Sequence, residues 1–336
     1  MQKIAIHNRL GGFSERWINY CKSHSIPYKI VNAYDNDIVE QVRDCSAFMW
    51  HHHHANYKDR LFAKQLLYSL QKKGLKVFPN FDTTWHFDDK VGQKYLLEAV
   101  HAPLVPSYVF YTKQDANDWI DHTTFPKVFK LRGGAGADNV KLVRTKAQAR
   151  KLVHKAFGRG FLQVDGFNVL RYRFNKFKHG RGNFIDVCKG FARLFIPTEF
   201  VKMYPREKGY VYFQDFIPQN KFDIRIVVIG DKAFALKRLC RENDFRASGG
   251  GRIIYDKGQI DVRCVQIAFE VNEKLNAQSI AYDFVFNSEN NPLIVEISYG
   301  YAVAAYDNCE GFWTKDLKWH AGDHFDFCGW MVEQVL

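Results

Sequence analysis

The residues best placed to do chemistry lie near the end of the chain, in Ser279–Ser298. SIAYDFVFN and PLIVEIS read as two strands of a hairpin. With Ser288, Glu289, Asn290 and Asn291 as a four-residue turn, Asn287 faces Pro292, Val285 faces Ile294 and Asp283 faces Glu296. Side chains alternate faces, so Asp283, Val285, Ile294, Glu296 and Ser298 share one face. Directly opposed Cβ atoms lie roughly 4.5–5.5 Å apart. Two carboxylates that close repel each other unless a cation sits between them, and hard oxygen ligands suit Mg²⁺, with substrate phosphates completing its shell. The alternative is a register slipped by one residue, with one carboxylate facing solvent.

A second group surrounds Lys130. In FPKVFKL, Val128 and Lys130 share one strand face, Lys127 and Phe129 the other. Arg132-Gly133-Gly134-Ala135-Gly136-Ala137 follows. Backbone N–H groups of glycines such as Gly133 and Gly134 can approach phosphate oxygens, and a lysine ammonium adds a point charge. An ordinary hairpin also contains such loops. A third group runs from Gln214 to Arg246. Gln214-Asp215-Phe216-Ile217 ends an aromatic strand and suits an adenine hinge. Asp223 and Arg225 alternate onto one face, and Lys237, Arg238 and Arg246 follow. Basic residues in an apolar strand are costly unless an anion meets them; a solvated strand face is the other reading.

The elements that must position these groups alternate in type. Residues 3–7, 28–31, 46–50 and 75–80 read as strands. Phe13, Trp17, Tyr20 and Cys21 recur at helical spacing, and residues 57–73 carry Leu61, Phe62, Leu66, Leu67 and Leu70 on one stripe. Such alternation predicts a parallel sheet with helices on both faces, with ligands beyond the carboxyl ends of its strands. Gly11-Gly12, His51–His54 and Asn80 fall there. The four histidines read as a strand-end loop near substrate rather than a metal site, because consecutive side chains point apart. Residues 81–160 look α+β, with a helix from Asp88-Asp89-Lys90 to Ala99, strands at 107–111 and 126–131, and a basic helix at 145–157. Strands at 222–230, 232–240 and 251–256 and a helix at 265–275 precede the hairpin. The segment from Tyr299 onward reads as aromatic and irregular, either core packing or a stacking platform for sugar rings.

The order of these motifs resembles the ATP-grasp superfamily. The resemblance is carried by FDDK at 87–90, FPKVFK and its glycine loop at 125–136, FQDFI at 213–217, FDIRIVVIGDKAFALKR at 222–238, NDFRASGGG at 243–251 and YDFVFN…NPLIVEIS at 282–298. These elements look most like the branch of glutamate-adding peptide ligases and D-alanine–D-alanine ligase. The resemblance implies an ATP-grasp fold, α/β and α+β, with an N-terminal Rossmann-like pre-ATP-grasp domain. It implies domains at 1–85, 86–213 and 214–336: an N-terminal α/β domain, a lid with the glycine loop, and a metal-bearing domain. It also implies ATP and Mg²⁺ as cofactors. Lys90 and Lys130 would touch the ATP phosphates, Gln214 and the Asp215–Ile217 backbone the adenine, and Asp223 the ribose hydroxyls. Asp283 and Glu296 would hold magnesium, while Arg225, Lys237 and Arg246 would lie near the γ-phosphate and an acyl phosphate. Ser298 stands where the family has Asn, which leaves open whether one or two metal ions bind.

A closer likeness is to ATP-grasp proteins found with bacterial surface-polysaccharide genes, through RYRFNKFK (171–178), KGFARLFIPTEF (189–200) and the tail. It implies a saccharide or other small-molecule carboxylate and an amine as substrates. An ATP-grasp kinase acting on a hydroxyl, or a polyanion-binding protein without activity, are the alternatives.

Bulk properties agree. The 336 residues suffice for two or three packed units. Net charge is +12, and residues 161–210 hold ten Lys/Arg against four Asp/Glu, half the excess. Such a balance favours anionic partners. The basic-aromatic segment from Arg171 suits an anionic saccharide or a solvated face better than nucleic acid, with Arg171 and Arg173 as the charge partners. Seven scattered cysteines, none in a CxxC pair, fit a reducing compartment. No apolar run or leader is evident, so a cytoplasmic location without a membrane span is expected.

Overall fold

The N-terminal segment folds as its alternation predicts. In the computed structural model, strands β1 (Ile4–His7), β2 (Tyr28–Val31), β3 (Ala47–Trp50) and β4 (Lys76–Phe78) form one parallel sheet in the order β2-β1-β3-β4. Helix α1 (Phe13–Ser23) buries Phe13, Trp17, Ile18 and Cys21, the stripe that a 3.6-residue period requires. Helix α2 is Ile38–Gln41 and α3 is Tyr57–Lys72. In α3 the buried stripe is Asp59, Ala63, Leu66, Leu67 and Leu70. Leu61, expected on that stripe, is 70% exposed; Ala63 takes the inward position. Short α4 (Phe81–Thr84) leads to α5 (Lys90–Ala99).

The description covers residues 3–134, 140–163, 183–195, 206–240, 252–322 and 325–336, with 170, 173, 174, 177 and 203 between them. These residues divide into two compact units. Unit 1 holds 1–87, 92–104 and 217–336, and unit 2 holds 88–91 and 105–216.

Unit 2 is built on an antiparallel sheet. Strands β5 (Ser107–Phe110), β6 (Lys127–Lys130), β7 (Lys141–Val143) and β8 (Val211–Asp215) lie in the order β5-β8-β6-β7. Helices α6 (Lys113–His122) and α7 (Lys146–Ala156) start at threonines: Thr112 caps Asp115 N–H and Thr145 caps Gln148 N–H. Their apolar faces close over Phe129, Leu131, Val143, Val211 and Phe213, on one side of the sheet. Helix α8 spans Phe184–Phe195. The strand β7 and helix α6 were not foreseen from sequence.

The rest of unit 1 is a second sheet. Strands β9 (Phe222–Ile229), β10 (Lys232–Leu239), β11 (Ile253–Ile254), β12 (Ser279–Phe286), β13 (Pro292–Ser298), β14 (Gly311–Thr314) and β15 (Trp319–Ala321) form it. The order is β13-β12-β9-β10-β14-β15, with β11 also on β10. Helix α9 (Val262–Leu275) packs Cys264, Val265, Ala268 and Phe269 onto Ile224, Ile226, Val228, Ala233 and Ala235. The other face, with Val227, Ile229, Phe234, Leu236 and Ala281, joins one core with α1, the first sheet and α10 (Phe327–Glu333). The central strands are thus covered on both faces, which is why they read as long apolar runs.

The segment after Ser298, expected to be irregular, supplies two strands and a helix. Tyr301, Tyr306 and Phe327 are buried in that core, with Tyr306 and Phe327 against Phe234, while Tyr299 is buried against His52 and Phe87. These aromatics serve packing, the first of the two expected readings. No helix among the described residues is long and apolar enough to cross a membrane.

Candidate active site

Where the apolar face of the large sheet ends, charge begins. Along β9 the side chains on the α1 side run Ile229, Val227, Arg225, Asp223; along β10 they run Phe234, Leu236, Arg238. Arg225 pairs across the ladder with Asp283 of β12, and Asp283 with Glu296 of β13. Asp223 pairs with Arg238. The Arg225 guanidinium donates to both oxygens of Asp283, from Nε at 2.5 Å and Nη2 at 2.6 Å. Arg238 donates to both oxygens of Asp223, at 2.7 and 2.6 Å, and its Nη2 also reaches Asp283 at 3.0 Å.

Burial disfavours charge on Asp283, but the two guanidiniums outweigh it and hold its carboxyl below the usual carboxylate range. Burial likewise works against the Arg225 cation, and Asp283 more than compensates, so its pKa is raised. Asp283 is therefore ionised throughout the neutral range. Arg225 uses one lone pair on each Asp283 oxygen and Arg238 a second on Oδ2, which leaves Oδ1 able to share a cation with Glu296. Ser298 lies opposite Ala281 at the next place on this face. Its Oγ donates to Gly300 O at 2.8 Å, which leaves its lone pairs for a ligand. The donor set is all oxygen and fits Mg²⁺.

The hairpin reaches this pairing by a different route from the one expected. Phe286 faces Pro292 and Val285 faces Leu293, so five residues, Asn287–Asn291, make the turn, with Asn290 at φ 59°. A bulge between Asp283 and Phe284 then restores the register. Ile294, expected beside Glu296, consequently pairs with Phe284 in the core under α9.

Lys237 is not in this group. It pairs with Ile224 and so lies on the α9 face, its ammonium 4.0 Å from the Phe222 ring centre. Arg238 occupies the place on the charged face. The sequence contained the signal: a two-residue turn at Gly230-Asp231 puts Ile229 opposite Lys232, and counting back sets Asp223 against Arg238. Arg246, with Ser248–Gly251, lies outside the described residues.

In unit 2 the sheet face opposite the helices carries polar residues. Lys130 pairs with Tyr212, and Gln214 pairs with both Val128 and Ser107. Lys130 and Gln214 are only 6% and 2% exposed. Ser107 Oγ accepts from Tyr212 Oη at 2.9 Å and Gln214 Nε2 at 3.1 Å. Asp215 sits on the other face, where its carboxylate meets Lys127 at 2.6 Å. Its N–H donates to Pro106 O at 2.9 Å. Phe216 and Ile217 follow, half-buried.

Lys90 holds the start of the glycine loop. Its Nζ donates to Gly134 O at 2.7 Å and its N–H to Arg132 O at 2.9 Å; Gly134 N–H donates to Asp88 Oδ1 at 2.7 Å. Gly134 has φ +104° with open space where a Cβ would be, so the backbone conformation is what demands glycine. Gly133 precedes it, and Ala135–Asn139 lie outside the described residues. The role of Asp88 as a loop anchor was not anticipated.

Comparison with known proteins places this geometry. Residues 203–308 match the family model RimK: RimK-like ATP-grasp domain, which includes Gln214, Asp223, Arg225, Asp283, Glu296 and Ser298. No curated protein matches the sequence. Among solved structures, a RimK domain protein ATP-grasp from Sphaerobacter thermophilus aligns over 100% of both chains, at 15% identity and TM-score 0.59. The biotin carboxylase domain of the Hydrogenobacter thermophilus 2-oxoglutarate carboxylase aligns over 99% of this chain and 69% of its own, at 13% identity and TM-score 0.58. N5-carboxyaminoimidazole synthetase from Staphylococcus aureus, complexed with ADP, aligns over 94% and 74%, at 13% identity and TM-score 0.55. The chain has the ATP-grasp fold, and residues 203–308 are similar to RimK-like ATP-grasp domains.

Proposed function

We propose that the protein is an ATP-dependent carboxylate–amine ligase. The observation that carries this reading is the row Glu296–Asp283–Arg225, with Arg238 beside it, inside the RimK-like segment. Two opposed carboxylates and two guanidiniums on one face suit a metal-bound polyphosphate better than any neutral ligand. Of the solved structures compared above, the Hydrogenobacter thermophilus biotin carboxylase domain is in complex with MgADP and ADP and the Staphylococcus aureus synthetase with ADP, which supports a nucleotide ligand.

In this reading Asp283, Glu296 and Ser298 hold Mg²⁺, which neutralises phosphate charge when bound. Lys90, Lys130 and the amides of Gly133 and Gly134 meet phosphate oxygens, Gln214 and residues 215–217 meet adenine, and Asp223 meets the ribose. A substrate carboxylate oxygen attacks the γ-phosphorus and ADP leaves, giving an acyl phosphate. The amine nitrogen then attacks the acyl carbon, the C–O bond to phosphate breaks, and inorganic phosphate leaves as the nitrogen loses a proton. Arg225 and Arg238 offset charge at the phosphoryl group, and catalysis is chiefly positioning and charge neutralisation. The +12 charge suits an anionic acceptor, and a sugar acid of surface-polysaccharide synthesis is the proposed carboxylate.

The test is phosphate release across panels of sugar acids and amines. Release that requires both a carboxylate and an amine supports the ligase. Release of ADP with a hydroxyl acceptor, and no free phosphate, would identify a kinase instead.

A further inference from the structure

Beyond the carboxyl ends of β1 and β3, still within unit 1, two buried nitrogens have no partner. His51 is 4% exposed. Its Nδ1 accepts from Phe13 N–H at 3.0 Å. In a neutral ring the proton is therefore on Nε2, and that donor meets no acceptor. Burial keeps the ring neutral, pushing its pKa well down. Arg9 Nη1 is likewise buried and without a hydrogen-bond partner. The charge of Arg9 is felt at His51, His53, Asp59 and Tyr299, and also at His7 and Tyr34. Asp59 feels that charge but gives Arg9 Nη1 no hydrogen bond; its carboxylate accepts from Tyr34 Oη at 2.5 Å and His53 N–H at 2.7 Å.

The surroundings hold the His51 donor in place. The ring stacks on Phe13, with centroids 3.8 Å apart and planes 10° apart, and meets Tyr299 edge-on. Gly12 is required here, because a Cβ on it would fall 2.9 Å from His51 Nδ1. Gly300 is required too: a Cβ there would sit 2.9 Å from the Phe87 ring and 3.9 Å from His51 Nε2. Gly300 comes two residues after Ser298, whose hydroxyl binds its carbonyl. The strand that carries Glu296 and Ser298 thus leads directly to the unpartnered imidazole.

A guanidinium nitrogen and a neutral ring N–H, both buried donors without a partner, call for an oxyanion. We propose that Arg9 and His51 Nε2–H form a subsite for a substrate carboxylate, at the end of the metal-bearing strand. This rests on the ligase reading for the choice of carboxylate over other oxyanions. It assigns a function to the strand-end histidines, expected near substrate on position alone, and selects His51 from the four. His52 is excluded because its Nε2 is bonded to Thr84 Oγ1.

The test uses the full chain labelled with ¹⁵N-histidine, with the His51 ring signal assigned by its loss in His51→Gln. Acetate should move the Nε2–H resonance saturably. Arg9→Met should weaken that response about tenfold or more, as loss of a charge-assisted contact does, and Arg9→Lys should restore part of it. MgATP affinity, measured by calorimetry on the same samples, should be unchanged. The proposal is overturned if wild type shows no saturable shift up to about 100 mM acetate, if Arg9→Met responds equally, or if inorganic phosphate acts and acetate does not. Acetate binding without MgATP binding would keep the subsite and overturn the ligase reading.

Discussion

Arg225 and Asp283 are direct partners across β9 and β12, joined by two parallel N–H···O bonds and mostly buried, at 20% and 13% side-chain exposure. Removing one partner leaves the other as a buried charge. Arg225→Met should therefore lower unfolding free energy by about 3–5 kcal/mol. Arg225→Met/Asp283→Leu should recover much of that loss, because neither charge is then stranded. A urea series on the single and double variants measures it; equal losses in both would contradict the pairing.

Acidity should act on the same pair. The folded carboxyl of Asp283 has a depressed pKa, so its contribution is present above the unfolded value of about 3.9 and is lost as pH falls below it. The loss continues down to the folded value. Asp283→Asn should be less stable at pH 7 but flatter between about pH 4 and pH 2. Parallel stability–pH curves for variant and wild type would rule this out.

A separate acid response comes from His86, fully buried, where burial pushes its pKa down to about 3. The unfolded chain takes up a proton below about 6.5 while the folded ring does not, so stability falls as pH drops through that range. At pH 5 the gap of about 1.5 units corresponds to about 2 kcal/mol. His86→Leu should remove that much of the decline between pH 7 and pH 5, read from urea midpoints. An unaltered decline would place the acid sensitivity elsewhere.

The two basic residues that follow each other on β10 should behave differently. Lys237 lies on the α9 face and Arg238 on the charged face. Arg238→Met should lower turnover by roughly two orders of magnitude, the loss of a charge-assisted contact of about 3 kcal/mol. Lys237→Met should change it less than about threefold. Phosphate-release rates with a productive substrate pair decide; a large effect at Lys237 and none at Arg238 would reverse the assignment.

This pair also shows what the sequence could and could not disclose. Strand identity was readable from apolar runs, as for β9 and β12, because tertiary burial writes itself into composition. Face assignment depends on register, and register depends on turns and bulges. The Gly230-Asp231 turn was short enough to count across, so Arg238 was recoverable. The bulge at Asp283/Phe284 was not, because nothing in VFNSENNPLIV marks where an extra residue is inserted. Asp283 and Glu296 were paired correctly only because the longer turn and the bulge compensate each other. The tail looked irregular for a related reason: its strands, Gly311–Thr314 and Trp319–Ala321, are three or four residues long and stable only as additions to β10. The anchoring of Gly134 by Asp88 and Lys90 joins residues 44 to 46 positions apart, a separation that local patterning does not report.

The central claim is that Asp283 and Glu296 make a magnesium-dependent ATP site, and calorimetric titration of ATP tests it without knowledge of the other substrates. Wild type should bind ATP with Mg²⁺ present and at least about tenfold more weakly with the metal chelated. Glu296→Gln, with an unchanged melting temperature, should show the weak affinity under both conditions. Equal, magnesium-dependent binding in wild type and Glu296→Gln would contradict the account.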